Sequence, residues 1–382
     1  MRSGYVRNPL RRPPSRTPDV NFPRAFHERL PNYAATPLLH LPDLANELGI
    51  GDLWVKDESA RMGLRSFDIL GASWALYRTM LARLGRRPTH WDDVAELRER
   101  LAPVAEARVI VVSDGEFGVA ASTASKWLGL SCTAYVPGGL SPRRLDALRS
   151  TGAHVVIDGL TYDDALAKAA ADTDPTTIVL SDSSWEGYAD VPRWVTEGSV
   201  TVFEEIDDEL RRRATAGDRQ PLMDAVVTPL GTGSLAAAAA LQYRVVDDRK
   251  GARNEVALVG AEPALAACFA ESAVCGRRVA LPSAAPSIMA SLARGLPSPH
   301  AWEIVADAFD GFGAVDETDA EQAVELLAKH GVQCAPSGAA AVAAILSVGR
   351  DRTPAPDLER SDGFEGLGPR SRVVAVVAEG SR

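Results

Sequence analysis

Cysteine and lysine are both scarce in this 382-residue chain, and each shortage narrows the chemistry open to it. The four cysteines, Cys132, Cys268, Cys275 and Cys334, form no C-x-x-C pair, so neither a disulfide framework nor a zinc site is expected. They read as reduced, buried small hydrophobes. The six histidines are dispersed, none at metal-ligand spacing from a second His or Cys. Five lysines, Lys56, Lys126, Lys168, Lys250 and Lys329, leave few amines for covalent catalysis. No apolar run approaches the roughly 18–20 residues of a membrane span, and the longest, Leu235 followed by Ala236 to Ala240, reads as helix. Residues 1–23 carry arginines and prolines without an apolar h-region, so no secretory signal is expected and the chain reads as cytoplasmic. Positive charge is also short, with 41 Lys and Arg against 51 Asp and Glu, a net −10 that argues against nucleic acid as a partner.

What remains is an ordinary globular composition, 46% hydrophobic and 24% charged, with enough chain for two lobes. Short β-branched runs at 53–56, 108–113, 132–136, 154–157, 177–180, 225–228, 256–260 and 373–377 read as buried strands. Helical spacing at 67–84, 119–128, 142–150, 234–245 and 317–330 falls between them, and such alternation predicts an α/β fold with helix-covered parallel sheets. A charged excursion at 86–107 holds a short helix around 92–101, and the Pro/Gly-rich stretch 349–370 reads as a linker. The expected lobes are residues 1–85 with 180–382, and residues 86–179.

Two strand-to-helix turns carry candidate chemistry. In the segment AVVTPLGTGSL, residues 225–235, Gly231, Thr232, Gly233 and Ser234 connect a strand to a helix. Free N–H groups and the helix dipole make such a turn an anion cradle; the alternative is a plain tight turn with Ser234 as N-cap. In Ser113-Asp114-Gly115-Glu116-Phe117-Gly118, Asp114 and Glu116 are either carboxylates at a cleft mouth or part of a polar βα turn. Trp185 and Tyr188 read as packing, Asp163 and Asp164 as acids opening a helix. Ser337 is an N-cap or a ligand contact, and Arg294 a surface charge or a cation facing the acids.

Beyond these turns, FHERLPNYAATPL at 26–38, VKDES at 55–59, Gly63-Leu64, Ser66-Phe67 and Leu70-Gly71-Ala72-Ser73 resemble the diaminopropionate ammonia-lyase family. Tyr162-Asp163-Asp164, Trp185-Glu186-Gly187-Tyr188, residues 231–235, Ser287-Ile288-Met289-Ala290, Pro297-Ser298, Trp302-Glu303-Ile304 and Ser337-Gly338-Ala339 continue the likeness, which spans roughly residues 20–382. The resemblance implies the type II pyridoxal-phosphate (PLP) fold, tryptophan synthase β-like, with two lobes that each hold a mostly parallel sheet, and a homodimer. It also implies a lysine that tethers PLP covalently and an elimination that turns diaminopropionate into pyruvate and ammonia.

The sequence departs from that pattern on the segments that carry the family's chemistry. Asp68 takes the position of the tethering lysine, Glu116 and Phe117 replace an asparagine and a histidine, and Ala378 stands where Thr or Ser would precede Glu-Gly. Ser291, Arg294 and Leu296 replace Gly, Cys and Glu. An aspartate forms no Schiff base, and like charges about 4 Å apart repel by about 4 kcal/mol at an effective dielectric of 20. The expectation is therefore that no cofactor is required, or that PLP is held only non-covalently. Three functions stay open: a PLP-independent acid–base enzyme using Asp68, Asp114 and Glu116 on a small amine-bearing substrate, by elimination, isomerisation or cyclisation; a non-catalytic ligand-binding or partner subunit; and an ammonia-lyase assisted by untethered PLP. No metal site is expected, although the same three acids offer an oxygen set for Mg²⁺.

Overall fold

The structure, a computed structural model, describes residues 4–13, 23–85, 91–113, 115–157, 162–215, 222–244, 256–281, 287–350 and 367–381. Its strands are β1 (Gly4–Arg7), β2 (Leu38–His40), β3 (Asp52–Asp57), β4 (Arg108–Val112), β5 (Ser131–Val136), β6 (His154–Ile157), β7 (Thr177–Leu180), β8 (Ala225–Pro229), β9 (Ala257–Pro263), β10 (Gly311–Val315) and β11 (Arg372–Val377). The helices are α1 (Arg24–His27), α2 (Pro42–Glu47), α3 (Asp68–Leu84), α4 (Val94–Leu101), α5 (Glu116–Trp127), α6 (Pro142–Ser150), α7 (Tyr162–Ala171), α8 (Asp190–Arg213), α9 (Ser234–Tyr243), α10 (Cys268–Cys275), α11 (Pro299–Ala308), α12 (Glu317–Lys329) and α13 (Pro336–Arg350). The chain forms two compact units, residues 1–20, 35–60 and 202–382, and residues 21–34 with 61–201. The smaller lobe read from the sequence covered 86–179 alone. The contacts draw α3 and the first half of α8 into that unit, because α3 lies against α5 and β7 and its Gly71 meets α8.

In the first unit a seven-stranded sheet runs β1-β10-β9-β8-β11-β3-β2, parallel except for its edge strands β1 and β2. At its centre β11 pairs with β3 in the register Val373 to Leu53 and with β8 in the register Val373 to Ala225. Val373 to Val377 are all buried, the continuous apolar run of a strand covered on both faces. One core joins Leu44, Val55, Val227 and Ala375 to the α13 side chains of Ala340, Ala344 and Ile345. All ten residues of α9 are buried as well.

The second unit is built on a four-stranded parallel sheet, β6-β5-β4-β7. Here α3 crosses α8 at backbone distance. A Cβ on Gly198 would lie 2.6 Å from the Leu70 carbonyl oxygen, and one on Gly71 would lie 2.8 Å from that of Val195. Those two glycines set the crossing, which explains why the Leu70-Gly71-Ala72-Ser73 stretch tolerates no bulk at its second position. Gly198→Ala is expected to lower stability by about 1–3 kcal/mol through forced separation of the helices, read from the shift of a urea midpoint; an unchanged midpoint would show that the crossing has slack.

The eight predicted strands are all present, with ends moved by at most a few residues. The differences matter more at two helices. Residue 67 caps α3 and leaves Asp68 as its first residue, and α5 begins at Glu116, three residues before the predicted start at 119. Among the described residues no helix is long and apolar enough to cross a membrane.

Candidate functional site

Two of the sequence-predicted acids open helices that pack on each other, α3 and α5 of the second unit. Asp68 accepts a hydrogen bond on Oδ2 from the Ser66 hydroxyl at 2.9 Å, and its own N–H donates to Ser66 Oγ at 3.3 Å. This local loop aims the carboxylate at the start of α3, where the helix dipole favours it. Glu116 begins α5 behind Gly115, whose extended backbone supplies no side-chain cap. Burial pushes the Glu116 carboxyl above its ordinary range, while the guanidinium groups of Arg65 and Arg144 pull it back. Arg65 stands three residues before Asp68, so the α3 approach and the α5 start share one electrostatic neighbourhood. Phe117, the next residue, is buried. Asp114 lies outside the described residues.

The turn before α5 is organised by Ser113, which the sequence reading took only as a strand end. Its hydroxyl accepts from the N–H of Gly115 at 3.1 Å and of Gly118 at 3.0 Å, and donates to the Gly115 carbonyl at 3.1 Å. A Cβ on Gly118 would fall 2.7 Å from the Ser113 Cβ. Ser66, Ser113, Arg65 and Arg144 are therefore part of this site. A polar residue two before an acid or a glycine at a helix start is the one signal that pointed to the serines.

The first unit holds the glycine turn. Gly233, at φ +99°, is the N-cap of α9, so Ser234 is the first helical residue and not the cap; as a glycine the cap brings no side chain of its own to this end. The φ requires glycine, and so does space: a Cβ there would lie 2.5 Å from Phe269 Cζ and 2.8 Å from Ala301 Cβ. Thr232 accepts from the Ser298 N–H at 3.4 Å. The turn thus meets the physical requirements for an anion: N–H groups at the start of a ten-residue helix whose N-cap has no side chain to engage them, with Gly231 and Gly233 keeping the backbone open to close approach. Three residues before Gly231, the fully buried Thr228 hydroxyl has no hydrogen-bond partner among the described residues, an orphan polar group beside the cradle in sequence.

Ser291 links this turn to the last strand. A Cβ on Gly231 would touch the Ser291 carbonyl oxygen at 2.9 Å, while the Ser291 hydroxyl donates to Glu379 Oε2 and its N–H donates to Ser337 Oγ at 3.3 Å. Ser337 is the second residue of α13, not its N-cap, and its hydroxyl is an acceptor for the 291 loop. Arg294 stands near Cys268, whose thiol burial and Glu262 push up and Arg294 pulls down. It belongs to the first unit, whereas Asp68 and Glu116 belong to the second. Trp185 and Tyr188 stack at 4.0 Å and 11°, with the Tyr188 hydroxyl donating to the Val179 carbonyl, a packing role. Asp164 is exposed in the first turn of α7.

Lys56, one of the few amines, is committed elsewhere. Its Nζ donates to Glu205 Oε2 at 2.5 Å and to the Thr36 carbonyl at 2.9 Å, with Glu58 at 3.8 Å, all in a dry pocket. Lys126 is exposed in the last turn of α5. Among the described residues no group of three or more His, Cys, Asp or Glu is placed to hold a metal ion.

Comparison with known proteins fits this picture of an anion cradle on an α/β scaffold. The family described as pyridoxal-phosphate dependent enzyme matches residues 30–359. The diaminopropionate ammonia-lyase of Salmonella typhimurium is 32% identical over 312 residues, covering 80% of this chain and 74% of that protein. Among solved structures, the holo diaminopropionate ammonia-lyase of Escherichia coli superposes with a TM-score of 0.85 at 24% identity, over 100% of this chain and 94% of that one. Maize serine racemase follows at 0.71 and 19%, over 95% and 94%.

These relationships overturn the expectation of a cofactor-free protein. Relatives across the chain are PLP-dependent enzymes, so PLP is the cofactor to expect. The charge argument weighed the repulsion from Asp68 and Glu116 most heavily, whereas a strand-to-helix turn of glycines offers a phosphate N–H groups and a helix dipole. The chain belongs to the pyridoxal-phosphate-dependent enzyme family, has its type II fold, and counts diaminopropionate ammonia-lyases among its relatives.

Proposed function

We propose that this protein is a PLP-dependent ammonia-lyase whose cofactor is not tethered through residue 68, and that Asp68 and Glu116 move the protons of the reaction on a small diamino acid of the diaminopropionate type. PLP, when bound, supplies the electron sink that makes the substrate's α-proton labile. The cradle residues Gly231, Thr232, Gly233 and Ser234 of the first unit would hold its phosphate. Asp68, aimed by Ser66, is the proton acceptor. Glu116, whose carboxyl burial keeps protonated above the ordinary range, is the donor to the departing amine. The observation that carries this reading is the pair of acids at the first residues of two packed helices, in unlike surroundings: one bonded to a hydroxyl, the other desolvated and within the field of two guanidinium groups.

The test is to titrate the purified protein with PLP, follow its absorbance, and measure ammonia released from 2,3-diaminopropionate with and without added cofactor. Expected are reversible PLP binding, loss of PLP on dialysis even after borohydride treatment, and ammonia release that depends on added PLP. A borohydride-fixed PLP on any lysine, or ammonia release unaffected by PLP, would refute it. The position of both acids in helix first turns, where they stabilise the helix dipole, favours a second reading as a ligand-binding member without catalysis. That reading predicts PLP binding and no ammonia.

A further inference from the structure

We infer that Glu262 is a positioning residue for the anion cradle: its buried side chain holds the first turn of α10 in the place where Phe269 backs Gly233. The inference rests on the reading that the turn at 231–234 takes a phosphate. Glu262 lies in β9 and is 1% exposed, yet no cation neutralises it at hydrogen-bond distance among its described contacts. Instead Oε2 accepts from the Phe269 N–H at 3.0 Å and Oε1 from the Ala270 N–H at 2.7 Å. These are first-turn N–H groups of α10, whose own N-cap, Ala267, offers no side chain to satisfy them. A strand residue therefore caps a helix that a Ser or Asp at 267 could have capped locally, and the difference is that a cap from β9 also fixes α10 against the sheet.

What that fixation positions is the Phe269 ring. Its Cζ occupies the space a side chain at 233 would take, with Ala301 on the other side, and the rings of Trp302 and Phe312 hold it at centroid distances of 6.2 and 6.4 Å. Gly233 has no side chain of its own to absorb a shift, so any displacement of Phe269 is passed to the backbone that opens α9 and bears the cradle's N–H groups. Burial pushes the Glu262 carboxyl up to about 8, and the two N–H donors pull it back.

Glu262→Gln, which keeps one acceptor and turns the other into a donor facing an N–H, tests the assignment. Tryptophan fluorescence would report the binding of PLP, of pyridoxal and of inorganic phosphate to the wild-type protein and the variant. The expected result is roughly tenfold weaker binding of PLP and phosphate, with pyridoxal, which lacks the phosphate, unchanged. A general structural lesion would weaken PLP and pyridoxal alike, and that outcome overturns the inference. Phe269→Leu, which keeps an apolar side chain at that site, is expected to show the same selective loss, and decides the matter where Glu262→Gln fails to fold. Wild-type binding of PLP and phosphate that neither variant weakens overturns the positioning role alone. A wild-type protein that binds neither overturns the functional reading as well.

Discussion

Replacing Lys56 with methionine is expected to lower stability by about 3–5 kcal/mol, a hundredfold or more in the folding equilibrium. The ammonium group sits among two carboxylates and a carbonyl with side-chain exposures of 0–1%. Glu205 is bound by Lys56 at 2.5 Å and by the Thr36 N–H at 3.2 Å, and Glu58 accepts from the Thr36 hydroxyl at 2.6 Å. Removing the cation takes the ammonium they share from two acids of 0–1% exposure, which costs far more than the pair itself contributes. Urea unfolding of Lys56→Met beside wild type measures the loss. Lys56→Met/Glu205→Gln is expected to recover part of it, because one of the stranded charges goes with the lysine. A single variant within 1 kcal/mol of wild type would mean that the acids are already neutral or hydrated.

Asp68→Asn and Glu116→Gln are each expected to lower PLP-dependent ammonia release by 10²–10⁴-fold, the usual worth of a positioned general acid or base. Their pH profiles should differ. In the proposed role of donor Glu116 would work only while protonated, and burial raises its pKa from the ordinary carboxylate value. The wild-type rate should therefore hold below that raised pKa and fall as pH climbs through it, and Glu116→Gln should lose this limb. Arg65 pulls the same group down, so Arg65→Gln should carry the limb to higher pH while the helix start remains intact. Rates that survive both acid substitutions would leave the ligand-binding reading in possession.

Much of the scaffold could be read from side-chain patterns, and the exceptions have physical causes. The run Val109 to Val112 reads as strand because every residue is apolar and the turn-forming sequence Ser-Asp-Gly follows it. In contrast, β10 is Gly-Phe-Gly-Ala-Val, and its glycines look like a loop until the structure shows that a Cβ on Gly313 would lie 2.9 Å from that of Ala344 in α13. The longest helix, α8, went unpredicted since its Val, Thr and Gly content, VTEGSVTV, has poor helix propensity; packing against α3 through Gly198 compensates. At the site, Asp68 and Glu116 were legible as acids out of place. Ser66 and Ser113 left only a local spacing signal, and Ser291 and Glu262 left none, because the importance of those two lies in which N–H or carboxylate each one meets across the fold, and spacing along the chain does not encode that.

The burial of α9 has a bearing on the glycine turn at its head. A helix with one wet side lets water and counterions dull the field of its aligned peptides, but α9 is sheathed in protein along its whole length. Its alanines are small enough to let neighbouring elements close in from every direction. The axial polarity of ten residues therefore has little to relax against until it emerges at Gly233, so the run of alanines acts as insulation for a partial positive pole delivered where an anion would sit.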